Sequence, residues 1–303
     1  MNTQVKVGKV DLSCPVLPAS GCFGYGIELA QHYDMSALGG IVTKAVTMEE
    51  RLGNDMPRIA ETPSGMLNAI GLENPGVKFF LDVLLGQLKR FKLPIIVNLA
   101  GAQPDDYVAL AEKMQDSQIV ALELNLSCPN VKTGCMSIGT SPQEVERVVS
   151  AVGKKTDKAI WVKLTPNVTD ITELARAAEF AGADAISLIN TLLGMVIDVK
   201  SRRPVLRNNT GGLSGPAIMP VALRMVSECY RAIDIPIVGM GGIAATEDAL
   251  AFLMAGASAI QLGSSCLQKP DFLFSLGEEM AHMAAELGFS SLAEVSGSLE
   301  YWE

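Results

Sequence analysis

Residues 171–189, I-T-E-L-A-R-A-A-E-F-A-G-A-D-A-I-S-L-I, contain one complete unit of the pattern on which the fold rests. An amphipathic segment over Ile171–Ala181 predicts a helix, Gly182 is placed to end it and turn the chain, and Ala185–Ile189 is a short apolar run of strand type. The same punctuation returns at Gly256, where a helix predicted over Thr246–Ala255 leads through G-A-S-A-I into a strand over Ala259–Leu262. Outward from these two units, strands are expected at Val16–Ala19, Gly40–Lys44, Ile95–Leu99, Ala121–Leu126, Ile160–Leu164 and Pro236–Gly239. Helices are expected over Gly76–Lys89, Asp105–Met114, Pro142–Val152, Ala217–Arg231 and Asp271–Leu287. Eight strands in βαβα order fit a closed parallel sheet, so the expected architecture is α/β, a (β/α)8 TIM barrel over residues 1–303 as a single domain with elaborated βα loops. A doubly wound sheet would be opened by a G-x-G-x-x-G turn after the first strand, and P-A-S-G-C-F-G at Pro18–Gly24 does not match it.

Two connections, Val46–Asn74 and Asn190–Gly215, are much longer than a usual loop, and both follow strands. Loops of that length on a compact scaffold cover or build a site, which places the working face at the carboxyl ends of the strands.

Composition narrows the partners. The chain is 49% hydrophobic and 19% charged with a formal charge of -9, enough for a large core and the wrong sign for a nucleic-acid partner. The first ten residues lack an apolar targeting segment and no uncharged stretch is long enough to span a bilayer, so a cytoplasmic protein away from membranes is expected. The six cysteines include no C-x2-C pair and read as free thiols, and two histidines leave little for a histidine metal site or a Ser-His-Asp triad; no metal is expected.

The densest polar cluster is N-L-S-C-P-N at Asn125–Asn130, at the end of the fourth predicted strand. Alternation puts Asn125 and Ser127 on one side, and Pro129 turns the chain, so Cys128 sits at the barrel mouth. A thiol there without a histidine partner favours proton abstraction over acyl transfer. Cys135 shares the loop but not that arrangement. Lys44 and Lys163 end two otherwise apolar strands, and a lysine so placed must snorkel or meet an anion; together they imply an anionic ligand or a developing negative charge. Asn68, Asn98, Asn125, Asn130 and Asn190 lie near strand ends, and amides offer both donor and acceptor to a planar heterocycle. G-M-G-G-I from Gly239 and G-S-S from Gly263 follow the last two strands and can present backbone N–H groups to a phosphate, that of a mononucleotide cofactor rather than a triphosphate, since no G-x4-G-K-[ST] run is present.

These residues together resemble the class 1 dihydroorotate dehydrogenases, through essentially the whole chain. The motifs are P-A-S-G at Pro18, M-L-N-A-I-G-L-E-N-P-G from Met66, N-L-S-C-P-N-V-K from Asn125, K-L-T-P-N from Lys163, S-L-I-N-T from Ser187, G-G-L-S-G-P-A-I from Gly211 and G-M-G-G-I from Gly239. The resemblance implies FMN over the barrel mouth with dihydroorotate packed on its ring, Cys128 taking the C5 proton while the C6 hydride passes to flavin N5, in UMP biosynthesis. It implies Lys163 beside flavin N1 and O2, where its charge would stabilise the reduced anionic ring. By the same likeness Ala19, Ser20, Lys44, Asn98, Asn125, Ile189, Gly215, Gly241, Gly242, Gly263 and Ser264 would line the FMN site. Lys44, Asn68, Asn125, Asn130, Asn190 and Thr191 would surround orotate, with the backbone of Ile70, Gly71 and Leu72 at its carboxylate.

N-V-K after the cysteine motif and I-N-T-L-L-G-M from Ile189 look like the heteromeric NAD-linked subclass (class 1B), which implies a homodimeric core joined to a subunit carrying FAD and a [2Fe–2S] cluster in a heterotetramer. The alternatives are a homodimeric fumarate-linked enzyme, another FMN barrel acting on a dihydropyrimidine, and a flavin-free barrel that only binds. One departure is K-A-V-T at Lys44, where related enzymes commonly have K-G-T-T; Ala45 and Val46 narrow the freedom of that turn.

Overall fold

A computed structural model describes residues 1–126 and 138–302. Eight strands form one parallel sheet: β1 (Val16–Pro18), β2 (Ile41–Val42), β3 (Ile95–Leu99), β4 (Ile119–Asn125), β5 (Ala159–Lys163), β6 (Ala185–Leu188), β7 (Ile237–Met240) and β8 (Ala257–Leu262). Their hydrogen-bonded order runs β1-β8-β7-β6-β5-β4-β3-β2. The two ends of that ladder meet where the Gly39 N–H donates to the Val16 carbonyl at 3.0 Å, so the sheet is a nearly closed barrel. Any Cβ at Gly39 would fall 2.0 Å from the Cys14 carbonyl oxygen, so only glycine lets the seam close. Every expected strand overlaps an observed one.

Strands buried on both faces explain the nearly continuous apolar runs. In β4, Leu122 and Leu124 face outward into the main core, while Ala121 faces the barrel interior. The outward core is completed by helices at helical spacing. Helix α3 (Pro142–Gly153), which follows α1 (76–88) and α2 (Pro104–Lys113), buries Val145, Val148, Val149 and Val152; α4 (Ile171–Phe180) buries Ile171, Leu174, Ala175 and Ala178. Both begin with a side-chain cap, the Ser141 hydroxyl accepting from Glu144 N–H and the Asp170 carboxylate from Thr172 N–H. Helices α5 (Met219–Tyr230), α6 (Thr246–Met254) and α7 (Pro270–Glu286) complete the ring. The helix expected over Gly76–Lys89 is present but contains a π-helical segment, Phe80–Leu84.

Two parts were not foreseen as elements. Val5–Val7 and Val10–Leu12 form an antiparallel hairpin. Its Val5, Val7, Val10 and Leu12 pack on the inward-facing Leu17, Val42, Ile96, Trp161 and Val238, so the amino end of the barrel is plugged. At the opposite end, the two long connections meet in a four-stranded antiparallel sheet, ordered Leu192–Gly194, Gly211–Ser214, Gly65–Asn68, Ile59–Thr62. Ala60, Leu67, Ala69 and Leu206 give this crown its own small core. The barrel is therefore shut below and roofed above. No helix among the described residues is long and apolar enough to cross a membrane.

Candidate active site

Between barrel and crown lies a cavity of about 350 Å³, within the range of small-ligand sites. The end of β1 supplies Ala19, Ser20, Gly21 and Cys22; the turn after β2 supplies Lys44 and Ala45. Asn125 closes β4, Lys163 closes β5, and Ile189, Asn190 and Thr191 follow β6. From the crown come Met66, Asn68, Ile70, Gly71 and Leu72, and the far wall is Ser214, Gly215, Met240–Ile243, Gly263 and Ser264. Every residue that the sequence nominated thus borders this one cavity, with three exceptions. Cys128 and Asn130 lie outside the described residues, as does Cys135. Asn98 is fully buried in the barrel interior and is absent from the cavity wall.

The two lysines sit in different surroundings. Lys44 is half-buried and has no ion-pair partner among the described residues, so its ammonium is available to an anion in the cavity. Lys163 is almost completely buried, with Nζ 3.8 Å from Oε1 of Glu123. Nearby, burial pushes the Cys22 thiol up, partly opposed by the Lys163 ammonium, so at neutral pH Cys22 is a thiol and not a thiolate.

The amides are held in place. Asn190 Nδ2 donates to Asn125 Oδ1 at 3.4 Å, and the Asn190 oxygen accepts from Thr191 N–H at 2.8 Å. Asn68 Nδ2 donates to the Gly212 carbonyl at 3.4 Å, across the crown ladder. Asn74, buried behind the cavity, accepts from Thr47 and Gly76 N–H and donates to the Leu72 carbonyl at 2.7 Å, which fixes the Ile70–Leu72 segment. Asn167 donates to the Thr191 carbonyl at 3.1 Å and accepts from Leu193 N–H at 2.9 Å, stapling the end of β5 to the crown.

Gly241 and Gly242 have φ of 128° and 85°, and a Cβ on Gly242 would lie 2.8 Å from the Gly215 carbonyl oxygen. That backbone can therefore be built only with glycine, and it borders the cavity beside the ends of β7 and β8. A Cβ on Gly263 would meet nothing closer than Ala19 Cβ and Cys22 Sγ, both at 3.8 Å, so its place is a cradle left open by the missing side chain.

Four neighbours escaped sequence reasoning: Cys22, Asn74, Asn167 and Glu123. The signal for Glu123 was present, since alternation from Asn125 puts residues 121, 123 and 125 on one face, and an acid in an apolar strand is as conspicuous as a lysine. Among the described residues no group of His, Cys, Asp and Glu could hold a metal ion.

The family profile described as "Dihydroorotate dehydrogenase" matches residues 2–283. The chain is 50% identical over 295 residues to "Dihydroorotate dehydrogenase B (NAD(+)), catalytic subunit" of Bacillus cytotoxicus, covering 97% of this chain and 96% of that relative. It is 51% identical over 295 residues to the protein of the same description from Bacillus pumilus, covering 97% and 95%. The counterpart in Bacillus cereus is 50% identical over the same length.

Proposed function

The chain belongs to the dihydroorotate dehydrogenase family, and from that premise we propose that it is the FMN-bearing catalytic subunit of an NAD-linked enzyme oxidising dihydroorotate to orotate. The observation that carries the site assignment is the convergence in one cavity of Lys44, which has no ion-pair partner among the described residues, buried Lys163, and the amides Asn68, Asn125 and Asn190. The residues fit FMN: the open cradle at Gly263, the glycine-only backbone at Gly241 and Gly242, and Ser264 suit a phosphate, while the small or apolar Ala19, Ser20, Ile189 and Gly215 lining the same cavity leave room for a ring. When bound, FMN supplies the acceptor for the hydride leaving C6 of the substrate.

The chain's own groups do the rest. Lys163 would hold a positive charge beside the flavin, where it would steady the negative charge that gathers on reduction. Lys44 and the backbone at Ile70, Gly71 and Leu72 face the substrate carboxylate, and the amides of Asn68, Asn125 and Asn190, with Thr191, orient its ring. The crown keeps water out. Cys128 takes the C5 proton and Asn130 completes the amide ring; both roles rest on the sequence motif. Electrons leave through a partner subunit with FAD and a [2Fe–2S] cluster, in a cytoplasmic heterotetramer around a homodimer, with the whole chain acting as one catalytic domain.

The test is the absorption spectrum of the purified chain and its response to dihydroorotate without oxygen. A flavin band that bleaches is expected. A protein colourless even after incubation with FMN, or one bleached equally by dihydrouracil, which lacks the carboxylate, defeats the assignment.

A further inference from the structure

Beneath the cavity floor, the barrel interior carries a polar layer that an ordinary barrel core would fill with branched apolar side chains. Glu123 lies at its centre with no exposure to solvent. Its Oε1 accepts from Asn98 Nδ2 at 2.8 Å; its Oε2 accepts from Gln261 Nε2 at 2.8 Å and Ser187 Oγ at 3.2 Å. Each donor comes from a different strand and is itself fully buried. Three neutral donors converge on this one carboxyl group, and the Lys163 ammonium lies 3.8 Å from its Oε1 as the opposite charge of a buried ion pair. A carboxylate taken this far from water is costly unless it is paired, so four strands committing polar side chains to hold it is a strong structural investment.

We infer that Glu123 is a positioning residue for the cavity lysine: it anchors Lys163 from below and offsets part of its charge, so that the lysine presents an attenuated positive field to the flavin above. The inference rests on the FMN reading of the cavity and deepens it. A flavin beside a bare buried ammonium would hold its electrons tightly; a paired ammonium still steadies the reduced ring but lets it be reoxidised. The other charged or titratable groups lining the cavity are Lys44, which has no ion-pair partner among the described residues, Glu73, which pairs with Arg58, and the Cys22 thiol; among the described residues Glu123 is the one carboxyl group in an ion pair with Lys163.

Sulfite is a suitable probe, because its addition to oxidised flavin bleaches the visible band and is strengthened by positive charge near N1 and O2. In the FMN-loaded protein, Glu123→Gln keeps size, shape and an oxygen for Lys163 to approach, but removes the negative charge. Sulfite should then bind at least tenfold more tightly, and the flavin midpoint potential should rise, with FMN affinity within threefold of the parent. Glu123→Asp, which keeps the charge, should return sulfite affinity toward the parent value. Sulfite binding in Glu123→Gln that is unchanged or weaker overturns the proposal. Should that variant not fold, Ser187→Ala decides. It removes only one donor, leaves the carboxylate more negative toward Lys163, and should weaken sulfite binding two- to threefold; no change there also overturns it. A parent protein that takes up no FMN would overturn both this inference and the reading of the site, whereas a parent that binds FMN and sulfite with unmoved variants overturns this inference alone.

Discussion

Lys163 and Lys44 were both legible as strand-end lysines, but only the structure separates their surroundings: one lies 3.8 Å from Glu123, the other has no ion-pair partner among the described residues. That difference predicts different failures. Lys163→Ala removes a charge that matters most when the ring gains electrons, so flavin reduction by dihydroorotate should slow about 100-fold, the scale of losing one preorganised electrostatic contact, while orotate affinity changes little. Anaerobic stopped-flow with orotate titration checks it; a reduction rate and potential equal to the parent's would remove Lys163 from this role. Lys44→Ala should instead weaken orotate binding. For Cys128, whose role rests on the N-L-S-C-P-N motif, Cys128→Ala should retain FMN and orotate but slow flavin reduction roughly 100-fold, the scale of losing a positioned base. Cys135→Ala is the control, and the idea fails if its effect is the larger of the two. Asn98, nominated for the flavin, lies fully buried with its Nδ2 on Glu123, a depth that residue-level reading does not give. An asparagine near a strand end gave the same signal whether it faced the ligand or Glu123 one layer down, because depth within a barrel is not encoded in periodicity.

At the scale of elements, the strands and helices of the barrel could be read because each is set by local pattern: an apolar run of four to six residues, a cap, a glycine. The crown could not. Its strands have three or four residues, and its central pair joins Gly65–Asn68 to Gly211–Ser214, about 145 residues later in the chain. Pairing at that separation depends on the barrel being formed first. The long connections were recognisable as site-building segments, but not as one sheet. The staples that tie it down give a prediction. Asn167→Ala removes the bonds to Thr191 and Leu193, each worth at most about 1 kcal/mol at this exposed position. The crown should loosen while the barrel stays intact, so KM for dihydroorotate should rise several-fold with FMN affinity unchanged. A drop in FMN affinity as large as the rise in KM would show that the staple supports the barrel mouth as a whole and not the roof.

Across the whole molecule, charge is more informative about partners and pH than about fold. Asp116 bridges the end of α1 to the segment before β4 through its ion pair with Lys89, and that side-chain hydrogen bond holds its carboxyl below the usual carboxylate range. A carboxyl depressed in the folded state contributes stability that is present above its unfolded pKa, about 3.9, and is lost as pH falls through the lower folded value. The pair is partly exposed, so its contribution is screened to under about 1 kcal/mol. Asp116→Asn should therefore lower the urea midpoint slightly at pH 7, with the difference from the parent shrinking as pH falls below about 4 and gone once Asp116 is protonated in the folded protein; a difference that grows on acidification contradicts the assignment.

The last consequence concerns electron flow. The described residues contain no cysteine group suited to an iron–sulfur cluster, and the flavin proposed for the cavity lies between a plugged barrel and a crown. NAD is a two-electron carrier that must stack against a flavin to exchange a hydride directly, and a ring already covered by substrate under a roof leaves it no face. The isolated chain, loaded with FMN, should accordingly bleach within one turnover of dihydroorotate yet reduce NAD no faster than a flavin-free control. Steady turnover with NAD should appear only when a subunit bearing FAD and a [2Fe–2S] cluster is supplied, and should scale with it to a fixed ratio. Loss of bleaching would point back to the site itself. Rapid NAD reduction by the chain alone, with iron and FAD absent by analysis, would instead leave the barrel intact and remove the need for a partner.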